Sequence, residues 1–124
     1  MGAGIAQVAA QKGHHVYLTD KFDNALEKAK AGHEKILARL VDKGVIKYGA
    51  DKEIVDRITY TSNMADLHDA GLVIEAIIEN IEIKKSIFQE LEGIVSEDAI
   101  LASNTSSLSI ASIGSSVKKA DRVV

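Results

Sequence analysis

Apolar residues recur along this chain with two alternating periods. Ala3 to Lys12, rich in Ala, Ile, Val and Gln, suits a short buried helix stopped by Gly13. His14 to Asp20 is β-branched and aromatic in its middle and reads as a strand ending on an acid. Apolar positions at Phe22, Leu26, Ala29, His33, Ile36, Leu37, Leu40 and Val41 then share one helical face, which predicts a long helix ending at Gly44. Its other face, with Glu27, Lys28, Lys30, Glu34, Lys35 and Arg39, reads as a solvated surface. Asp51 to Arg57 predicts a second short helix, and Ile58 to Ser62 a short strand.

Gly71 to Ile78 is a near-continuous apolar run, the pattern of a strand buried on both faces of a parallel sheet. Asn80 is placed to cap the helix that follows, which carries Ile83, Ile87, Phe88, Leu91 and Ile94 on one side and Lys84, Lys85, Glu90 and Glu92 elsewhere. Glu97 and Asp98 make a turn, and Ala99 to Ser103 predicts the next buried strand. The polar cluster Ser103-Asn104-Thr105-Ser106-Ser107 falls where that strand must end, ahead of a short helix from Leu108 to Ile113. Arg122-Val123-Val124 reads as the opening of one more strand. Strands alternating with helices imply an α/β fold, a doubly wound parallel sheet covered by helices on both faces. Ligands of such sheets bind beyond the carboxyl ends of the strands. That rule directs attention to Asp20, to the Ala76–Asn80 stretch and to Asn104–Ser107.

Composition narrows the partners. The 124 residues are 46% hydrophobic and carry 15 Lys and Arg against 18 Asp and Glu, a formal charge of -3, with no basic stripe of the kind nucleic acid requires. No nucleic-acid partner is expected. No apolar run approaches the ~18 residues of a membrane helix, and the start Met1-Gly2-Ala3-Gly4-Ile5 lacks the charged region of a secretory signal, so no membrane partner is expected either. The absence of cysteine excludes disulfides and thiolate chemistry and fits a reducing, cytoplasmic setting. His14 and His15 are adjacent, and His33 and His68 lack carboxylates at ligand spacing, so no metal is expected. Proline is absent, although average usage is about 5%.

An acid at the end of the second strand of a dinucleotide-binding unit accepts hydrogen bonds from the adenosine ribose hydroxyls and repels a 2′-phosphate. Asp20 stands at such a strand end, where an Asp also serves as an ordinary turn or cap residue. Gly2 is a candidate for the third glycine of a phosphate-binding G-x-G-x-x-G, but the preceding strand and the first two glycines are not in the chain.

Met1 to Ala10 with Gly13-His14 and Leu18-Thr19-Asp20, then Val73-Ile74-Glu75-Ala76-Ile77-Ile78-Glu79-Asn80, then Ala102 to Leu108, resemble the NAD-binding domain of the 3-hydroxyacyl-CoA dehydrogenases, in that family's order and spacing. The 3-hydroxybutyryl-CoA branch is the nearest in pattern. The resemblance spans essentially the whole chain and implies a Rossmann-type sheet, with residues 1–124 an incomplete NAD-binding domain lacking the first strand and the C-terminal helical domain. It implies NAD as cofactor, an acyl-CoA substrate, and full-length relatives that are homo-oligomeric through that further domain. By motif position it assigns Met1, Gly2, Asp20, Ile77, Ile78, Glu79 and Lys84 to the cofactor, and Ser106 to the nicotinamide and the substrate's reacting oxygen. Lys43 falls near a lysine that contacts CoA in some members.

Each residue also has a plainer role: Glu79 favouring a helix N-terminus, Lys84 a solvated charge, Ser106 a turn hydroxyl. The family's catalytic histidine and its paired glutamate match no residue here, and none of the four histidines occupies that place. The polypeptide alone is therefore expected to be inactive and to bind NAD weakly or not at all. Strands missing a central neighbour are expected to leave it marginally stable. A non-catalytic dinucleotide- or acyl-CoA-binding module, or a broken reading frame, are the alternatives.

Overall fold

The computed structural model describes residues 1–124, which fall into two compact units: Met1 with Ala3–Asn63, and Gly2 with Met64–Val124. In the first, the elements are α1 (Gly2–Gln11), β1 (Val16–Thr19), α2 (Asp23–Asp42), α3 (Ala50–Asp56) and β2 (Ile58–Thr61). Strands β1 and β2 pair in parallel, from Val16 opposite Ile58 to Thr19 opposite Thr61. Helix α1 stops because Gly13 takes φ +93°, a left-handed turn that costs a glycine nothing, and its amide closes on the Ala10 carbonyl. The Arg57 guanidinium donates to the same carbonyl at 2.9 Å, so the end of α1 is tied to the start of β2. Ala10, Leu37, Ile54 and Ile58 form the buried centre, with Val16, Leu18, Leu40 and Tyr60 packed around it.

The buried face of α2 is narrower than its periodicity predicts. Leu26, His33 and Leu37 are buried, whereas Phe22 precedes the first turn and is exposed, as is Ile36. The helix packs mainly against α3 and β2, and the flanks of its apolar stripe stay in water. The predicted strand from His14 begins at Val16, with both histidines exposed.

The second unit runs from a 3₁₀ helix (Met64–Asp69), which the sequence pattern does not announce, through β3 (Leu72–Glu75), α4 (Ile81–Ile94), β4 (Ile100–Ser103) and α5 (Ile110–Gly114) to a 3₁₀ turn (Ala120–Arg122). Strands β3 and β4 are parallel, with Leu72 opposite Ile100 and Glu75 opposite Ser103. Asn80 caps α4 as predicted, its Oδ1 accepting from the amides of Glu82 and Ile83, both at 3.1 Å. The expected strand at Arg122 is only a bridge: Arg122 lies in the 3₁₀ turn, and Val123 alone pairs with Leu101.

Strand β3 is not buried on both faces: Leu72 and Ile74 are 54% and 43% exposed, beside an exposed Ile100 on β4, because no helix of this unit covers that face. An unbroken apolar run carries no period from which to see this. The buried stripe of α4 is Lys84, Phe88, Leu91 and then Val95, at spacings of four, three and four, while Ile83 is exposed. A lysine thus stands at the head of the core face.

Candidate functional site

In the first unit, Asp20 follows the last residue of β1 and is exposed. Its Oδ1 accepts from the Phe22 amide at 2.9 Å, an Asx turn that starts α2 and holds the carboxylate at the carboxyl end of the strand. Both the turn role and a ligand role are therefore open to the same side chain. Helix α1 begins at Gly2 with no side-chain cap hydrogen bond and no acid in its first turn. The Met1 carbonyl accepts from the amides of Gly4 and Ile5. A Cβ placed on Gly4 would meet nothing within 4 Å, and the first turn is open on that side. Buried His33 supports this turn from below: its Nε2 donates to the Ala3 carbonyl at 2.7 Å, and its Nδ1 meets the Tyr60 hydroxyl at 2.6 Å. Lys43 closes the far end of the 20-residue α2, about 30 Å along the helix from the Asp20 end, so the first unit does not bring the two together.

The second unit assembles a denser cluster at the carboxyl ends of β3 and β4. Glu75, the last residue of β3, is buried and accepts three hydrogen bonds: Ser103 Oγ at 2.5 Å on Oε1, and the Ile77 amide at 2.8 Å and Lys84 Nζ at 2.6 Å on Oε2. Lys84 Nζ also reaches Glu79 Oε1 at 3.1 Å and the Ile77 carbonyl at 3.5 Å, so three acceptors surround its three protons. Glu79, with its side chain 48% exposed, accepts on Oε2 from Thr105 Oγ1 at 2.7 Å and Ser107 Oγ at 2.9 Å. Thr105 Oγ1 in turn accepts from the amides of Ser107 and Leu108, which shapes the turn after β4. Ser106, between the two hydroxyls that Glu79 holds, is exposed and takes no part in these bonds.

The electrostatics follow from that geometry. The Thr105 hydroxyl, then Lys84 and the Ser107 hydroxyl, hold the Glu79 carboxyl below the usual carboxylate range. Burial pulls the Lys84 ammonium down, but hydrogen bonds and charge from Glu75 and Glu79 outweigh it and raise Lys84 above the ordinary lysine range. Counting Glu75, Lys84 and Glu79, the cluster carries one net negative charge.

Of the residues expected at a cofactor site, the structure thus joins Ile77, Glu79 and Lys84 to the segment of Ser106, with Ile78 exposed beside them. Lys84 is no solvated charge, because its side chain is buried. Glu75, Ser103, Thr105 and Ser107 have no assigned role in the sequence pattern. The available signal was Glu75 itself, a lone acid inside an apolar run. No group of three or more His, Asp or Glu is placed to hold a metal ion. No helix is long and apolar enough to cross a membrane.

The family model for the NAD-binding domain of 3-hydroxyacyl-CoA dehydrogenase matches residues 1–124. The chain belongs to this family. It is 44% identical over 124 residues to 3-hydroxybutyryl-CoA dehydrogenase of Clostridioides difficile, covering 100% of this chain and 44% of that one. It is 41% identical over 128 residues to the mitochondrial hydroxyacyl-coenzyme A dehydrogenase of Rattus norvegicus, covering 98% of this chain and 41% of the relative. The crystal structure of 3-hydroxybutyryl-CoA dehydrogenase from Escherichia coli superposes with a TM-score of 0.96 at 37% identity, over 99% of this chain and 26% of that one. The enzyme from Ralstonia eutropha gives 0.94 at 37%, over 99% and 44%. The 3-hydroxyacyl-CoA dehydrogenase NAD-binding chain therefore has the expected Rossmann-type fold, and it spans less than half the length of the curated relatives it matches.

Proposed function

We propose that this chain binds NAD and is the cofactor-binding part of a 3-hydroxyacyl-CoA dehydrogenase. The enzyme would oxidise (S)-3-hydroxyacyl-CoA, with 3-hydroxybutyryl-CoA the preferred candidate, to 3-oxoacyl-CoA in the cytoplasmic metabolism of fatty acids. The observation that carries this reading is the Glu79-centred cluster, which displays a carboxylate and the Ser106 hydroxyl at the carboxyl ends of two parallel strands. The residues fit the cofactor. The exposed Asp20 carboxylate has one oxygen in its turn and suits vicinal ribose hydroxyls, and the uncapped first turn of α1 at Gly2 suits a pyrophosphate. Ile77, Ile78 and Glu79 would line the nicotinamide end. When bound, NAD supplies the hydride acceptor.

Ser106 would donate to the substrate oxygen on which charge changes, a role that needs a hydroxyl held in place but not already committed. Residues 1–124 would be an incomplete NAD-binding domain, and Lys43 would contact the CoA moiety. The polypeptide alone is not expected to turn over substrate, because no histidine stands in the cluster: His33 is enclosed by Tyr60 and Ala3, and His14, His15 and His68 are exposed elsewhere.

Calorimetric titration of the polypeptide with NAD and NADP tests the reading. NAD should bind more tightly than NADP, and D20N, which keeps the turn but loses the charge, should weaken NAD about tenfold or more. Equal affinity for the two cofactors, or a D20N variant identical to wild type, would overturn it. NADH formation from 3-hydroxybutyryl-CoA by this polypeptide would refute the expected inactivity.

A further inference from the structure

The family resemblance places Lys84 at the cofactor, yet all three ammonium protons face protein acceptors: Glu75 Oε2 at 2.6 Å, Glu79 Oε1 at 3.1 Å and the Ile77 carbonyl at 3.5 Å. The group that meets solvent is Glu79. Beneath Lys84, Glu75 is buried and ties three separate pieces of chain to one carboxylate: the Ile77 loop, helix α4 through Lys84, and strand β4 through Ser103. Above it, Glu79 splits its oxygens, giving one to Lys84 and the other to the hydroxyls of Thr105 and Ser107. Those two hydroxyls flank Ser106.

We propose that Glu75 is a positioning residue: it holds Lys84 against Glu79, and through Glu79 it fixes the Thr105–Ser107 turn that presents Ser106. The sequence of contacts has a physical logic. A lysine side chain has four flexible bonds, and an ammonium with a single exposed carboxylate partner would sample many geometries. A second, buried carboxylate removes that freedom, because leaving it would strand a charge away from water. The ammonium is then a fixed donor to Glu79, and Glu79 a fixed acceptor for both hydroxyls. Ser106 is exposed and takes no part in the bonds by which its neighbours hold Glu79. Glu75 needs no contact with cofactor or substrate for this role.

A second path from Glu75 to the same turn exists, through Ser103 Oγ, which accepts from the Thr105 amide at 3.3 Å. The two paths make different predictions. Hydrogen–deuterium exchange read by mass spectrometry on the dilute 124-residue polypeptide separates them, using E75Q, E79Q and the double variant E75Q/E79Q. E75Q should speed exchange of the 104–108 segment about tenfold, while the Phe88–Leu91 segment of α4 exchanges as in wild type. In the E79Q background, E75Q should add less than about twofold. A full additional effect in that background would assign the coupling to Ser103 and overturn the proposal. Equal acceleration of both segments would reduce Glu75 to a general stabilising residue and overturn it as well.

The cofactor consequence rests on the proposed NAD reading and is measured separately. E75Q should weaken NAD about tenfold in wild type and under twofold in E79Q. Failure of wild type to bind NAD would count against that reading and leave the exchange result standing. NAD binding that E75Q leaves unchanged would count against Glu75 as a positioning residue even if NAD itself binds well.

Discussion

Lys84 Nζ lies 2.6 Å from Glu75 Oε2 with both side chains 1% exposed, a buried ion pair joining the end of β3 to the core stripe of α4. Such a pair is weak ground for claiming net stability, since each ion costs several kcal/mol to take from water. Its asymmetry is more informative. K84M removes the ammonium but leaves Glu75 buried, with only Ser103 and the Ile77 amide to hold its charge. We expect K84M to cost about 3–5 kcal/mol, and E75L/K84M, which removes both charges, to recover most of that. Urea denaturation of the three proteins checks this, and a double variant no more stable than K84M alone would contradict it.

The acid side of the stability profile belongs to Glu79 and Glu92. Hydrogen bonds lower both carboxyls, Glu79 chiefly through Thr105 and Glu92 through the amides of Lys118 and then Lys119, with Arg122 nearby. A folded pKa below the unfolded one means stability that is present above about pH 4.3 and lost as pH falls through the folded value. Lys84 has the opposite sense: raised when folded, it contributes below about pH 10.4 and is lost as pH rises through its folded value. T105V removes the largest influence on Glu79 and should move the acid midpoint upward, while E92Q should flatten a separate part of the same limb. Urea midpoints measured across the acid range test both. Superimposable profiles for T105V and wild type would refute the assignment.

Much of the fold was legible because helices and strands differ in period, and α1, α4 and β4 fall close to where the apolar spacing puts them. Burial was less legible. Lys84 sits at a core position of α4, but a lysine reads as polar whichever way it faces, and its partner Glu75 is nine residues away on a strand. Only tertiary pairing reveals that the two charges cancel inside. The same limit explains β3: Leu72 and Ile74 look like core by composition, and exposure depends on what covers them. Thr105 and Ser107 were indistinguishable from Ser106 in a run of hydroxyl residues until the structure showed which of them Glu79 engages.

Tyr60 offers a spectroscopic reporter for the first unit. Burial, and then the negative charge of Glu34, push its hydroxyl up to about 12. The Ala3 carbonyl can only accept, so His33 Nε2 carries the proton facing it, and in the neutral ring Nδ1 accepts from Tyr60. Stability linked to Tyr60 is therefore present below about pH 10 and lost as pH rises toward the folded value. Ultraviolet titration of tyrosinate should show a late component near 12 that Y60F abolishes and E34Q moves to lower pH. A Y60F titration that still shows this component would place it on another residue.

Strand β3 is hydrogen-bonded on one edge only, to β4, and on the same sheet Leu72, Ile74 and Ile100 present apolar side chains to water. An unpaired edge beside an exposed apolar face is a template for pairing with another chain. The 124-residue polypeptide should accordingly self-associate as concentration rises and melt with low cooperativity. Ile74 lies within this strand, and I74K puts a charge on the exposed face without touching the Glu75 cluster, whose side chain points to the other face. Sedimentation velocity should show wild-type association that I74K suppresses, with β3–β4 pairing preserved by circular dichroism. A wild-type chain that stays monomeric at high concentration and melts sharply well above room temperature would show that this face and edge are not the liability their exposure implies.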